Sequence, residues 1–320
     1  MRFSIIVFLI LFSVDHVNGQ RLNTNVYHID DILSTPGVNN FYLTESDASS
    51  GILPQAIMAF YEADWDKSIV LFQRLKLQNR QDLLPYFFEA MIPFWDYFFG
   101  GSNSDKADEF LELSDIAIQI GEQQLKTVPN DTSAILLLSG LHGYRSLVAA
   151  QEKRYRTAMS SGITGYSYTK TLMTLDNNDP NTLMGQGVFH YMMGSIPSEV
   201  RWMARLAGLS GDKQHGLMLL EQAALADSYV SNDARMFLAY LYERDEEYVK
   251  AINHLETLAI KYPTNPIFYF NIARISELQG NFQIANEFYT KVITLNSSVI
   301  SDLRVLSKIR VSHLEINHLQ

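Results

Sequence analysis

Apolar and small residues recur at a near-constant spacing between residues 210 and 296. In the last copy they are Tyr269, Ile272, Ala273, Gly280, Phe282, Ala285, Tyr289 and Val292. In the copy before it they are Leu238, Ala239, Tyr242, Tyr248, Ala251, Leu255, Leu258 and Pro263. The step from Ala251 to Ala285 is 34 residues, and the step from Gly216 to Ala251 is 35. The pattern predicts one pair of antiparallel helices written three times, because each pair must stack on the next to bury its apolar face.

The 34-residue period is typical of tetratricopeptide repeats. Small residues such as Ala239 and Ala251 let two helix backbones approach closely. Asn265 before Pro266 predicts a helix N-terminus, since proline is tolerated in the first turn. No segment alternates with a period of two for long enough to predict a strand. We therefore expect an all-α protein, a right-handed α-α superhelix (tetratricopeptide-like solenoid) of about six to seven helical hairpins in one continuous array.

The chain begins with Arg2 and an apolar run from Phe3 to Val14, which predicts a secretory signal peptide over residues 1–19, cleaved after Gly19. The alternative is an uncleaved anchor, although twelve residues are too few to span a bilayer. Export implies a periplasmic or secreted protein. No other segment has the composition of a membrane span, so we expect no integral span after cleavage.

The remaining chain divides into a polar arm or linker over 20–48 and a helical repeat domain over 49–320. We expect regular repeats at about 197–231, 232–265 and 266–298, with a capping helix at 299–314. The distance from Ala158 to Gly216 exceeds one repeat by 24 residues, which predicts an extra helix from Thr182 to Ser195 that interrupts the array.

Eight aromatic residues lie between Tyr86 and Phe99. Glu89, Pro93 and Asp96 interrupt the stretch, so it is not a membrane span. It is either a buried helix or the lining of a groove for an apolar chain, a peptide or a sugar.

The chain carries 25 basic and 35 acidic residues, a net charge of −10. This balance argues against nucleic acid or an anionic membrane surface as the main partner, since both require a basic stripe. The chain has no cysteine, which excludes disulfides, thiolate zinc sites, cysteine nucleophiles and a lipid-modified N-terminal cysteine.

We find no catalytic, metal-binding or cofactor-binding motif. The eight histidines form no HExxH pair and no zinc spacing. His190 lies in the apolar sequence GVFHYMMG and is expected to be a hydrogen-bonded core histidine, not a ligand or base. The sequence DNNDPN lacks the glycine and glutamate of a calcium loop. There is no GxSxG elbow and no phosphate-binding loop.

The segment GYRSLVAAQEKRYRTAMSSGITGYSYTKTLMTLDNNDPNTLMGQGVFHYMMGSIP, followed by LAGLSGDKQHGLMLLEQAA, resembles a family of exported bacterial tetratricopeptide-repeat proteins. The core GLSGDKQHGLMLLEQA is also similar to the eukaryotic inclusion-body clearance proteins. The resemblance covers roughly Leu136 to Asn296. It implies an α-α superhelix that binds a protein or another ligand, with no catalytic residues to carry over.

The resemblance to the wider repeat superfamily also implies a binding face. Peptide-binding members use the inner, concave face of the first helix of each hairpin. The matching positions here are Met236, Phe237, Tyr240, Phe270, Asn271 and Arg274. Chaperone adaptors that hold a C-terminal carboxylate use several lysines and an arginine on this face. Because only Arg274 is present, we do not expect a reader of chaperone tails.

Three functions therefore remain. The first is a noncatalytic exported scaffold that binds a protein or peptide on its concave face. The second is a carrier of a small apolar or glycan ligand in a pocket near the aromatic stretch from Tyr86 to Phe99. The third is an enzyme of unrecognised type, which the absence of a converging nucleophile, base or metal set disfavours.

Overall fold

The computed structural model describes residues 51–100, 103–175, 179–196, 201–202, 210–295 and 301–317. These residues form thirteen helices of ten residues or more and contain no strand, which confirms the all-α class. The predicted signal peptide over 1–19 and the arm over 20–48 lie outside the described residues.

The helices follow one another with short connections, except for the eighteen residues between Gly194 and Lys213. They are α1 (Ile52–Tyr61), α2 (Trp65–Gln78), α3 (Leu83–Gly100), α4 (Ser104–Thr127), α5 (Thr132–Gln151), α6 (Tyr155–Leu175), α7 (Pro180–Gly194), α8 (Lys213–Ala224), α9 (Val230–Arg244), α10 (Tyr248–Lys261), α11 (Pro266–Leu278), α12 (Phe282–Thr294) and α13 (Ser301–Asn317).

Consecutive helices pack in pairs, so that α1 to α12 form six hairpins and α13 packs on α12 and α11. Short polar side chains begin several of these helices. The Asn265 side chain accepts a hydrogen bond from the Ile267 amide at 2.9 Å, with Pro266 in the first turn, as the sequence predicts. The stacked hairpins confirm a tetratricopeptide-like solenoid.

The turns inside four hairpins share one backbone feature. Ala63, Lys153, Glu246 and Gly280 have φ values of 56°, 60°, 61° and 77° and each lies between the two helices of its hairpin. The left-handed region costs an L-residue about 1–2 kcal/mol, and glycine avoids this cost. Of these four turns, only the one at Gly280 has glycine at the left-handed position.

Helix α7 corrects the prediction of an extra helix from Thr182 to Ser195. It is the first helix of the fourth hairpin, and it packs along α8. A Cβ atom at Gly216 would lie 2.4 Å from the Tyr191 amide nitrogen and 2.6 Å from the Gly187 carbonyl oxygen. A Cβ atom at Gly194 would lie 2.2 Å from the Lys213 nitrogen. The glycines therefore bring the two backbones into direct contact, and α7 and α8 pair as the helices of the other hairpins do.

The first hairpin also contacts the C-terminal repeats. Tyr61, at the end of α1, is fully buried and stacks on Tyr262 with ring centroids 5.4 Å apart. Its hydroxyl donates to Asp233 Oδ1 at 3.2 Å, and Asn265 Nδ2 donates to the Tyr61 carbonyl oxygen at 2.9 Å. These partners lie 172 to 204 residues further along the chain. The N-terminal hairpins thus return to the C-terminal repeats, and one hydrophobic core runs through both.

Candidate functional site

The six predicted binding residues lie on two equivalent helices, α9 and α11. Met236, Phe237 and Tyr240 on α9 are each 34 residues before Phe270, Asn271 and Arg274 on α11. The solenoid therefore gives both sets the same register. We call the surface that these six residues define the concave face.

Three of the six residues are buried. Met236 is 2% exposed, Phe237 is 6% exposed and Asn271 is 8% exposed. The Phe237 ring stacks on Tyr144 of α5, with centroids 5.8 Å apart. Asn271 Nδ2 donates to the Ile267 carbonyl oxygen at 2.8 Å. In this arrangement these three side chains have little surface that a partner could contact.

Tyr240 and Phe270 are half-buried and contact other parts of the chain. The Tyr240 ring meets Phe98 of α3 edge-on at 5.4 Å, and Phe270 meets Tyr289 of α12 at 5.7 Å. The contact with Phe98 shows that the aromatic helix α3 lies against the concave face. The surface left for a partner is therefore the rim around Tyr240, Phe270 and Arg274.

Arg274 is paired within the chain. Its guanidinium forms a two-pronged ion pair with Glu243 of α9, in which Nη2 donates to Oε2 at 2.6 Å, and Nη2 also donates to Asn271 Oδ1 at 3.0 Å. Burial lowers the pKa of Arg274, but the hydrogen bond and charge of Glu243 outweigh it and raise the pKa above its usual value. The charge of the Arg274 cation is therefore matched within the chain by Glu243.

The aromatic stretch from Tyr86 to Phe99 forms α3, and most of its described side chains belong to the core. Phe94 and Trp95 are 1% exposed and Tyr97 is fully buried. Trp95 meets Phe60 of α1 at 5.3 Å and Phe268 of α11 at 6.2 Å. Of the two readings left open by the sequence, the buried helix is correct. The space that a ligand would need is filled by side chains of α1, α5 and α11.

A half-buried carboxyl group lies on α9, and the sequence gives no sign of it. Asp233 lies in the first turn of α9, where desolvation raises its pKa to about 7, although the Tyr61 hydrogen bond lowers it. Burial also raises the pKa of Tyr61 well above its usual value. Beside this pair, Asn232 Nδ2 donates to the Tyr262 hydroxyl at 3.0 Å, and Lys261 Nζ donates to Asn232 Oδ1 at 3.2 Å. This polar cluster joins α1 to α9 and to the end of α10.

His190 differs from the expected hydrogen-bonded core histidine. Its ring is half-buried, 4.8 Å from the ring of His215, and the buried Nδ1 has no hydrogen-bond partner among the described residues. Burial, and then the neighbouring His215, lower the pKa of His190, so the ring is neutral at pH 7.

Within the described ranges, no group of three or more histidine or acidic side chains is placed to hold a metal ion. In the same described ranges, no helix has both the length and the apolar character needed to cross a membrane.

The stacked hairpins and the 34-residue register define a tetratricopeptide-like helical repeat protein. Residues 179–307 match the family described as Iml2/Tetratricopeptide repeat protein 39. The matched segment begins at the N-cap of α7 and ends within α13. This part of the chain is similar to a repeat family related to the inclusion-body clearance proteins, as its sequence indicates.

Proposed function

We propose that the protein is a noncatalytic scaffold that binds a protein or peptide partner on the rim of its concave face. The solenoid supports this proposal, because stacked hairpins create an extended surface and the matched repeat family is generally non-enzymatic. The observation that carries it is the equivalence of Tyr240 and Arg274, which occupy the same position in adjacent repeats and keep part of their surface accessible.

We also propose that the protein is exported and belongs with the exported bacterial repeat proteins, so that the partner is periplasmic or extracellular. The apolar run from Phe3 to Val14 supports this step. Mass determination of the protein secreted by its native host tests it directly. A mature N-terminus at Gln20 is the expected result, and a retained Met1 would contradict export with cleavage.

Carriage of a small ligand near α3 has no observation in its favour, because the aromatic side chains pack against one another. Phe72 and Phe88, for example, stack with centroids 5.4 Å apart. The binding proposal therefore concerns a macromolecular partner.

Site-specific photo-crosslinking tests the binding proposal. A photoreactive phenylalanine replaces Tyr240 in one variant and exposed Val70 of α2 in a control variant, and both are irradiated in native extracts. The proposal predicts a discrete adduct from position 240 that is absent from position 70 and is lost when Arg274→Ala is added. Identical adducts from the two positions, or none, would count against a partner on this rim. Thermal melting of each variant checks that the fold is retained.

A further inference from the structure

The rings of His190 and His215 lie side by side across the two helices of the fourth hairpin. Their centroids are 4.8 Å apart and their planes cross at 85°. His190 is half-buried on α7 and His215 is exposed on α8, so solvent reaches the pair from the His215 side. Because the two residues belong to different helices joined by a long connection, no helical spacing in the sequence relates them.

The packing of α7 on α8 fixes the backbone at both histidines. Each histidine is next in sequence to a residue of a close backbone contact, in which a Cβ atom at Gly216 would lie 2.4 Å from the Tyr191 amide nitrogen. The His215 amide also donates to Asp212 Oδ1 at 2.7 Å, in the cap that begins α8. Side chains held on packed helices in this way are positioned more precisely than side chains on loops.

The His190 ring has a buried nitrogen without a partner. Its Nδ1 is buried and accepts or donates no hydrogen bond among the described residues. An unpaired buried polar atom costs about 1–3 kcal/mol, and most such atoms in folded proteins have a partner. Burial, and then the neighbouring His215, lower the pKa of His190, while the Asp212 carboxylate raises it. The ring is neutral at pH 7, and a neutral imidazole has the free lone pair that a metal ion requires.

The separation of the two rings fits a shared metal ion. An ion about 2.0–2.1 Å from one nitrogen of each ring, with a tetrahedral or a cis square-planar angle between the two bonds, places the ring centroids about 4.5–5.2 Å apart. The observed 4.8 Å lies within this range. An aromatic pair without an ion can have the same separation. The unpartnered Nδ1 of His190 is the observation that favours the ion.

We propose that His190 and His215 form a two-histidine binding site for a divalent transition metal ion, with Cu²⁺ bound more tightly than Zn²⁺. Imidazole suits both ions, and affinity in the divalent series is highest for Cu²⁺. Mg²⁺ prefers oxygen ligands and should not bind. The charges nearby are compatible with a cation, because the Asp212 carboxylate acts on His190 and the Lys213 ammonium is paired with Asp245 at 2.6 Å. The site lies outside the concave face and does not depend on binding there.

Metal titration of the purified full chain tests the proposal. Calorimetry with CuSO₄ and ZnCl₂, in a buffer that does not coordinate metals, should show one site that MgCl₂ does not occupy. The electron paramagnetic resonance spectrum with one equivalent of Cu²⁺ should show coupling to two imidazole nitrogens. Because the two histidines are brought together only in the folded hairpin, Zn²⁺ should also raise the melting temperature.

Two single variants locate the site. His215→Ala removes an exposed ligand, and His190→Phe replaces the half-buried ring with another aromatic ring. Each should weaken Cu²⁺ and Zn²⁺ binding at least about tenfold and abolish the rise in melting temperature with Zn²⁺. In His215→Ala the coupling to one of the two nitrogens should be lost. His313→Ala, at an exposed position on α13, is the matched control and should change none of these results.

Affinities for Cu²⁺ that are the same in His215→Ala, His190→Phe and His313→Ala would overturn the proposal and would leave the two rings as an aromatic contact only. So would the absence of metal binding, or binding of Mg²⁺ as tight as that of Cu²⁺. If His190→Phe alone unfolds, His215→Ala decides the result, because its side chain is exposed. Crosslinking from position 240 remains a separate readout, so failure at this pair is distinguishable from failure at the concave face.

Discussion

The Tyr61 hydroxyl donates a hydrogen bond to Asp233 Oδ1 at 3.2 Å, although 172 residues separate the two in the chain. The contact lies where the first hairpin meets the C-terminal repeats. Because desolvation raises the pKa of the half-buried Asp233 carboxyl, its protonation state is linked to the stability of the whole arrangement.

Stability should therefore fall as pH rises toward neutrality. An aspartate in the unfolded chain has a pKa of about 3.9, whereas burial raises the pKa of Asp233 to about 7 in the folded protein. Between these values the folded protein holds a proton that the unfolded chain has released, so each step up in pH favours unfolding. The free energy of unfolding should decline by up to about 4 kcal/mol from pH 4 to pH 7 and then level off. Urea denaturation across this range measures the effect.

The matched variants are Asp233→Asn and Glu256→Gln, the second at an exposed position on α10. Asp233→Asn removes the group whose pKa is raised, so most of this slope should disappear and the variant should be more stable than the parent at pH 8. Glu256→Gln should retain the slope. A slope that is the same in all three proteins would mean that Asp233 is not the group responsible.

Removal of the Tyr61 hydroxyl tests the donor of the Tyr61–Asp233 hydrogen bond. Tyr61→Phe keeps the ring stacked on Tyr262 but removes the hydroxyl that donates to the half-buried Asp233 carboxyl, and the expected loss is about 1–3 kcal/mol of unfolding free energy. Tyr155→Phe, at a 37% exposed position on α6, should cost little by comparison. Equal effects of the two substitutions would contradict burial of the Tyr61 hydroxyl at this interface.

The glycines of the α7–α8 hairpin should be intolerant of a methyl group. In Gly216→Ala the new Cβ would meet two backbone atoms at 2.4 and 2.6 Å, and backbone cannot rotate away. Helices α7 and α8 must then separate, at an expected cost of about 1–3 kcal/mol or more. At Gly143 on α5 a Cβ would meet nothing within 4 Å, so Gly143→Ala should stabilise by about 0.5–1 kcal/mol. Thermal melting of both variants should show shifts of opposite sign.

Substitutions at two turn residues should change the unfolding free energy in opposite directions. Glu246→Gly relieves a left-handed backbone with φ of 61° and should raise the unfolding free energy by about 0.5–1 kcal/mol, after the greater freedom of glycine in the unfolded chain is subtracted. Gly280→Ala, at φ of 77° in the next repeat, should lower it by about 1 kcal/mol. If both substitutions destabilise the protein, the left-handed geometry at Glu246 is not maintained in solution.

The fold class could be predicted from the sequence because the signals of the repeat pattern are local. The 34-residue spacing from Ala251 to Ala285, and the Asn265–Pro266 helix start, each depend on neighbouring residues within one or two helices. The approach of Tyr61 to Asp233 has no such signal, because the two residues are brought together only by the curvature of the whole array. For the same reason Met236 and Phe237 resemble accessible first-helix positions in the sequence, although both are buried and Phe237 stacks on Tyr144 of α5.

The sequence contains the glycines of α7 and α8, but it does not indicate that they allow these two helices to pack closely. Gly187 and Gly194 lie in a helix whose distance from the next repeat does not fit the regular period, which suggested an inserted helix. The repeat period is a spacing along the sequence, whereas the pairing of helices depends on which helix backbones can approach one another closely. The longer connection between Gly194 and Lys213 changes the count without changing the pairing.

An engineered disulfide tests most directly whether the first hairpin contacts the C-terminal repeats. Thr264 Oγ1 donates to the Glu62 carbonyl oxygen at 3.1 Å, 202 residues away in sequence. The chain has no cysteine of its own, so Glu62→Cys with Thr264→Cys introduces a single possible pair. Oxidation of the folded double variant should give a crosslinked monomer with altered mobility on a denaturing gel and a higher melting temperature, and neither single variant should do so. A folded double variant that stays reduced, or crosslinks only between molecules, would contradict the closed arrangement.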